Sequence, residues 1–210
     1  MEENFITDSK GRRSRTSSRA ERMDLKAIVS SRRCCREFTS QAVLNEQLDR
    51  MLDMTRYAPT AGGLQSFDVV VVHREQRIAS LADACKQPFV KGANVVLVFC
   101  ANNDRAAKYG EKGPNYAVQD TTLAACYAML AAEDEGLSTV WVGAFDPKEV
   151  ANIIGAPSGV IPEVIMPVGF PTEAEEARKT GPGHRTKDLD ELVHDEQYGE
   201  RILHHEPLAH

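Results

Sequence analysis

The chain has 210 residues, 42% of them hydrophobic, which is enough for one full core, and nothing in the length demands a second domain. Its formal charge of -6 argues against a nucleic-acid-binding surface over the whole protein, and no run of 18 apolar residues exists to span a membrane. The opening Met-Glu-Glu-Asn-Phe lacks the basic and apolar regions of a secretory signal, so a cytoplasmic protein with neither nucleic-acid nor membrane partners is expected.

Residues 1–22 stand apart in composition. From Lys10 to Arg22 six basic residues face one acidic residue, with serines and a threonine between them and little that is apolar. Such a stretch lacks the burial to order itself, and a flexible basic extension is expected. Leu25, Ile28 and Val29 then recur at helical spacing up to Ser31. Directly after them comes Arg32-Arg33-Cys34-Cys35-Arg36-Glu37-Phe38. Three guanidinium groups within five residues suit a doubly charged phosphate, and cations past a last helical turn equally complement the helix dipole. The composition of the cluster alone leaves both readings open.

A second helix is expected over Asn45 to Tyr57, with Asn45 as its cap and Pro59 ending it. The small-residue loop Ala58-Pro59-Thr60-Ala61-Gly62-Gly63-Leu64-Gln65 lets a ligand approach its backbone closely. Phe67 to His73 reads as a strand, its valine run suggesting burial on both faces. A short helix around Ala79 to Cys85 and a buried strand from Asn94 to Cys100 follow, then a polar connection, Asn102 to Asn115, of the length that lids use. The longest helix is expected from Tyr116 to Glu135. Its core stripe reads as Val118, Thr122, Cys126, Met129 and Leu130, with alanines 124, 125, 128, 131 and 132 forming a second close-packing surface. Gly136 stops it, Leu137 to Val142 is the next strand, Asp146-Pro147 opens a helix to Ile154, and Val164 to Phe170 is the last strand. Strands and helices without regular crossover lengths point to an α+β or mixed-sheet fold.

Five cysteines without a C-x-x-C pair, and without histidines at zinc spacing, speak against disulfides and structural metal. Flanking arginines would favour a thiolate at Cys34 or Cys35, but no partner base is evident, so no catalytic side chain is assigned.

Four motifs in order, Ser31 to Phe38, Ala58 to Phe67, Gly136 to Phe145 and Pro167-Val168-Gly169-Phe170-Pro171, together resemble the nitroreductase family of flavin enzymes over roughly residues 24–198. The resemblance implies an α+β, three-layer fold with a central mixed, mostly antiparallel sheet flanked by helices, in an intertwined homodimer with FMN at the subunit interface. It divides the chain into the basic extension 1–22, an FMN-binding domain 23–198 and a C-terminal tail 199–210. By position it assigns Arg32, Arg33, Cys34 and Arg36, with Arg185 and Lys187, to the ribityl phosphate and the pyrimidine edge of the flavin. Pro59, Thr60, Ala61, Gly62, Gly63 and Gln65 fall on the strip that packs against the partner's flavin, where the family often carries Ser, Asn, Pro and Trp at the places held here by Thr60, Gly63, Ser66 and Phe67. Gly143 and Ala144 match a turn whose amides lie near flavin N5, and Gln87 is a further polar contact. The implied activity is transfer of hydride from NAD(P)H, by way of flavin N5, to a small electrophilic acceptor such as a nitroaromatic or quinone in ping-pong fashion. Flavin-fragmenting and reductive dehalogenating relatives share the scaffold, and a non-catalytic flavin-binding or interaction protein is the alternative outside enzymes.

Overall fold

The computed structural model describes residues 24–179 and 186–200, together with the backbone of Phe5–Thr7 and Arg13–Arg15. The chain forms two compact units, Met1–Thr180 and Gly181–His210. Within the basic extension, β1 (Phe5–Thr7) and β2 (Arg13–Arg15) pair antiparallel.

The first unit is built around a four-stranded antiparallel sheet in the order β3-β4-β6-β5, comprising β3 (Phe67–Val72), β4 (Val95–Asn102), β5 (Ser138–Thr139) and β6 (Val160–Gly169). A parallel bridge from Cys34 to Thr139 extends the β5 edge and supplies the mixed character expected. Alternation along β4 divides the core in two. Val96, Val98 and Cys100 face α3 (Glu75–Ala84) and α6 (Pro147–Ile154), packing with Ile78, Leu81 and Val150. Val95, Leu97 and Phe99 face α2 (Asn45–Thr55) and α5 (Gly113–Asp134), packing with Met51, Ala125, Ala128 and Ala132. The result is three layers, helix on sheet on helix.

Several expectations are corrected in detail. Leu44, not Asn45, sits at the α2 N-cap, and its amide donates to the Gln47 side chain at 3.3 Å. The valines of β3 are only half-buried at 69 to 71, because β3 is an edge strand. Only Ser138–Thr139 of the expected 137–142 strand is regular, with Val142 rejoining β6 opposite Ile165. The 102–115 connection is helical almost throughout: α4 (Asn103–Ala106), capped by the Asn102 side chain, a 3-10 turn over Ala107–Lys112, and the first turn of α5. A helix absent from the sequence reading, α7 (Glu173–Lys179), follows β6.

The most consequential correction concerns α5. Its buried face is the small one: Gly113, Ala117, Thr121, Ala124, Ala125, Ala128 and Ala132, packed against the sheet and neighbouring helices. Of the expected stripe, Val118 is 38% exposed and Thr122 exposed, Cys126 and Leu130 are half-buried, and Met129 alone packs half-buried against the core cluster of Met51 and the alanines. Alanines let the helix backbone approach the sheet, where larger side chains would hold it off. Ala128→Leu should therefore destabilise the fold by about 1–3 kcal/mol through overpacking, whereas Thr122→Leu on the outer face should stay within about 0.5 kcal/mol. Urea unfolding of the two variants checks this, and the opposite ranking would restore the larger stripe as the core face.

Candidate functional site

The arginine stretch begins where α1 (Leu25–Ser31) ends. Asp24 caps this helix, accepting from the Ala27 amide at 2.8 Å, and the Arg32 amide closes the last turn on the Ile28 carbonyl at 3.2 Å. Arg33 serves the helix end, donating through one guanidinium nitrogen to the carbonyls of Ser30 (2.7 Å) and Arg32 (2.9 Å). Beyond it the backbone is extended. Cys35 donates its amide to the Thr139 carbonyl at 3.0 Å, Thr39 to Phe170 at 2.8 Å, and Thr172 returns a bond to Glu37 at 3.1 Å.

Two buried carboxylates fix this stretch. Glu175 of α7 accepts from the Arg36 amide at 2.9 Å and from the Arg178 guanidinium at 2.6 Å. Glu133, near the end of α5, accepts from the Ser31 hydroxyl at 3.0 Å and pairs with Lys179 at 2.9 Å. Fixed this way, Cys35 points inward and Arg36 outward, with the Arg36 guanidinium 5.7 Å from the centre of the Phe89 ring. Among the described residues neither Arg33 nor Arg36 meets a carboxylate.

Phe38, Phe89 and Phe145 pack half-buried against the same core cluster that holds Val142, and the Arg36 guanidinium over Phe89 links the arginine stretch to the Gln87–Phe89 segment. Val142 is held by paired bonds with Ile165, 3.0 and 2.9 Å. Gly143 and Ala144 then leave the sheet exposed, and neither amide donates a hydrogen bond among the described residues. Half-buried Gln87 opens a 3-10 turn over Pro88–Gly92, its amide bonded to Ala82 at 3.0 Å. The second unit carries Lys187, which is exposed, while Arg185 lies outside the described residues.

The Pro59–Gln65 loop belongs to a different cluster. Asp120, on the first half of α5, is 2% exposed and accepts from the amides of Ala61 (2.8 Å) and Ser66 (3.0 Å), spanning the loop with one carboxylate. Gly62, Gly63 and Gln65 have φ of 54, 71 and 49°, a left-handed run that the two glycines accommodate without strain. Arg105 of α4 braces the loop's exit, donating to the Phe67 carbonyl at 2.8 Å and pairing with Asp68 at 2.7 Å. Pro59, Thr60, Ala61 and Gly62 form one wall of a cavity of about 430 Å³ completed by Tyr109, Tyr116, Gln119, Asp120 and Leu123.

One chain does not bring these clusters together. Their anchors, Asp120 and Glu133, stand thirteen residues apart on α5, which at the helical rise is about 20 Å along its axis. The carboxylates at 120, 133 and 175 escaped the sequence reading because isolated acids in a charged chain read as solvated faces. The only local signal was that Asp120 and Glu133 interrupt the alanine face of α5.

The arginines that flank Cys35 do not activate it. Burial pushes its thiol up to about 11, outweighing a backbone hydrogen bond at Glu37 and the cations of α7. Burial likewise pushes Cys100 up to about 12 and raises Cys85. No group of three or more potential metal-ligating side chains exists among the described residues, and no helix there is long and apolar enough to cross a membrane.

Two outcomes follow. Asp120→Ala should cost about 2–4 kcal/mol, since two amides lose a charged acceptor, and Asp120→Asn, which keeps one carbonyl, should cost roughly half of that; equal stability of all three proteins in urea would refute the anchoring role. In native protein at pH 8, iodoacetamide should modify partly exposed Cys34 and leave Cys35, Cys85 and Cys100 unmodified by mass spectrometry. Modification of Cys35 ahead of Cys34 would contradict its burial.

The chain matches the nitroreductase family model over residues 29–91 and 75–170. An FMN reductase [NAD(P)H] of Bacillus subtilis is 29% identical over 163 residues, spanning 69% of this chain and 65% of that protein. An iodotyrosine deiodinase of Thermotoga neapolitana is 24% identical over 172 residues, 70% of this chain and 88% of the relative. Among solved structures, NfrA2 of B. megaterium superposes with a TM-score of 0.73 at 25% identity, covering 83% of this chain and 74% of that one. The match runs from the end of α1 to the end of β6 and takes in the arginine stretch, the diglycine loop and the Gly143 turn alike: the chain belongs to the nitroreductase family.

Proposed function

We propose that the protein is an FMN-dependent oxidoreductase that carries hydride from NAD(P)H to a small electrophilic acceptor, working as a homodimer. The observation that carries this reading is the pairing, on one sheet edge, of a cationic stretch with two exposed amides that have no acceptor among the described residues. Together they form a donor set for a ligand with a dianionic end and a polar ring edge, and the flavin mononucleotide fits it. Arg32 and Arg36 would hold the phosphate and the pyrimidine edge, Gly143 and Ala144 would donate to the ring near N5, and Arg185 and Lys187 would complete the cationic set. Bound FMN would supply a hydride relay whose two half-reactions share one open face, so that donor and acceptor take turns.

The chain's own residues orient and exclude. Cys34 and Arg36 are held in register by the bridge to Thr139 and the bond to Glu175, so the cations need little rearrangement to meet an anion. The buried sulfur of Cys35 stays a neutral thiol at neutral pH and serves packing.

The 20 Å separation along α5 supports the dimer. A two-fold axis across the outward face of α5 would set two such helices antiparallel, carrying the Asp120-anchored loop of one subunit toward the Glu133-anchored arginines of the other. Exposed Val118 and Leu123, with half-buried Cys126, Tyr127 and Leu130 further along, supply the apolar contact such a pairing needs. The deiodinase among the relatives makes reductive dehalogenation the neighbouring chemistry to test.

The visible spectrum of the purified protein should show flavin, bleached by anaerobic NADH or NADPH. Absence of flavin would sink the reading, and flavin that neither nucleotide bleaches would favour a binding role. The Arg32→Ala/Arg36→Ala double variant should lose about a hundredfold or more in FMN affinity, two charge-assisted contacts. Sedimentation should give a dimer that Leu123→Glu disrupts.

A further inference from the structure

The turn between α3 and β4 holds a residue in an unfavourable backbone conformation. Lys86 has a φ of 54°, in the left-handed region that a residue with a Cβ adopts only at a cost, at the point where α3 gives way to the turn. The Gln87 amide closes the turn over it by donating to the Ala82 carbonyl at 3.0 Å, and Lys91, paired with Asp83 at 2.8 Å, ties the turn back to α3. Phe89 is thereby fixed half-buried against the core cluster of Val142, and the Arg36 guanidinium lies over its ring, 5.7 Å from the centre. Arg36 is fixed independently through its backbone, whose amide donates to the buried Glu175 carboxylate at 2.9 Å.

Neither partner spends the cation. Glu175 takes the Arg36 amide on one oxygen and gives the other to Arg178. Phe89 offers a ring face, which attracts a guanidinium without occupying its N–H donors. Arg33, by contrast, commits a guanidinium nitrogen to the carbonyls of Ser30 and Arg32. A carboxylate in place of the ring would also hold Arg36, but it would neutralise the charge and take the donors that a ligand needs. We propose that Phe89 is a positioning residue for the flavin, presenting the Arg36 guanidinium to the cofactor's edge already oriented and with its charge uncompensated. The proposal rests on the reading that FMN binds at this sheet edge, and it assigns part of the affinity to a residue that acts through Arg36.

The test follows FMN fluorescence during titration into the full-length protein stripped of flavin. Phe89→Leu keeps apolar bulk and removes the ring face, and it should weaken FMN about two- to fivefold, the worth of a cation–π contact at an exposed site. Phe89→Tyr keeps the face and should retain the wild-type affinity. Arg36→Leu should weaken FMN about tenfold or more, and in that background Phe89→Leu should cost nothing further, because the guanidinium it orients is gone. Should Phe89→Leu fail to fold, Phe89→Met, which fills the same gap without a ring, carries the comparison. Losses that multiply in the double variant would overturn the positioning role and leave Phe89 a packing residue, as would a Phe89→Tyr protein no better than Phe89→Leu. FMN bound equally well by the wild type and Phe89→Leu would overturn the positioning role alone. A wild type that binds no FMN would refute the FMN reading itself, and the proposal with it.

Discussion

The candidate site hangs on two carboxylates buried in one helix. Along α5, Asp120 gathers the amides of Ala61 and Ser66, and Glu133 gathers the Ser31 hydroxyl and the Lys179 ammonium. Both are possible because the alanine face brings α5 close to the sheet, placing short acidic side chains within reach of backbone on neighbouring segments. A buried carboxylate without such partners would be strongly unfavourable, so each acid specifies the position of what it binds. The arginine stretch and the diglycine loop are distant in sequence, but both take their placement from this helix.

Between the two anchors the architecture is ordinary. β4 feeds alternate residues into two cores, and its burial on both faces makes it the centre of the three layers. The sheet ends on the β5 side, where Cys34 joins Thr139 and the chain leaves at Gly143. That open edge is where exposed amides and cations accumulate, since backbone groups there have no further strand to satisfy them.

The sequence made the elements legible wherever burial followed a simple period. The β4 valines, the Asp146-Pro147 helix start and the Gly136 stop stand as expected, with Gly136 and Gly155 at φ of 72 and 71° after their helices. It misdirected where size and burial part company. On α5 the alanines are the buried side chains while Val118 and Leu123 are exposed, a pattern that fits a helix pressed closely against a sheet on one side. α7 was invisible because Glu-Ala-Glu-Glu-Ala-Arg-Lys carries no apolar stripe; its burial is that of one carboxylate, Glu175, turned toward the Arg36 amide. The arginine cluster, ambiguous as a charge run, resolves into separate tasks: Arg33 closes a helix end, while Arg36 faces outward beside Phe89. Of the second basic pair, Lys187 belongs to the other compact unit and Arg185 lies outside the described residues, so the resemblance alone links them to the site.

The loop from Pro59 to Gln65 illustrates how such a site is kept in an unfavourable conformation. Gly62 and Gly63 take left-handed φ freely, but Gln65 at 49° does not, and a non-glycine residue there costs on the order of 1–3 kcal/mol. Local bonds oppose that cost: the Gln65 amide donates to the Thr60 hydroxyl at 3.2 Å, its side chain donates to the Arg56 carbonyl at 3.0 Å, and its carbonyl accepts from Arg105. Asp120 then closes the loop from beneath. A family-typical asparagine at position 63 would tolerate the same backbone, so the glycine here does not change the path of the loop; it removes a polar side chain from its surface. What remains there is backbone and a small cavity, closed on its other side by Tyr109 and Tyr116 of the segment that packs on the loop.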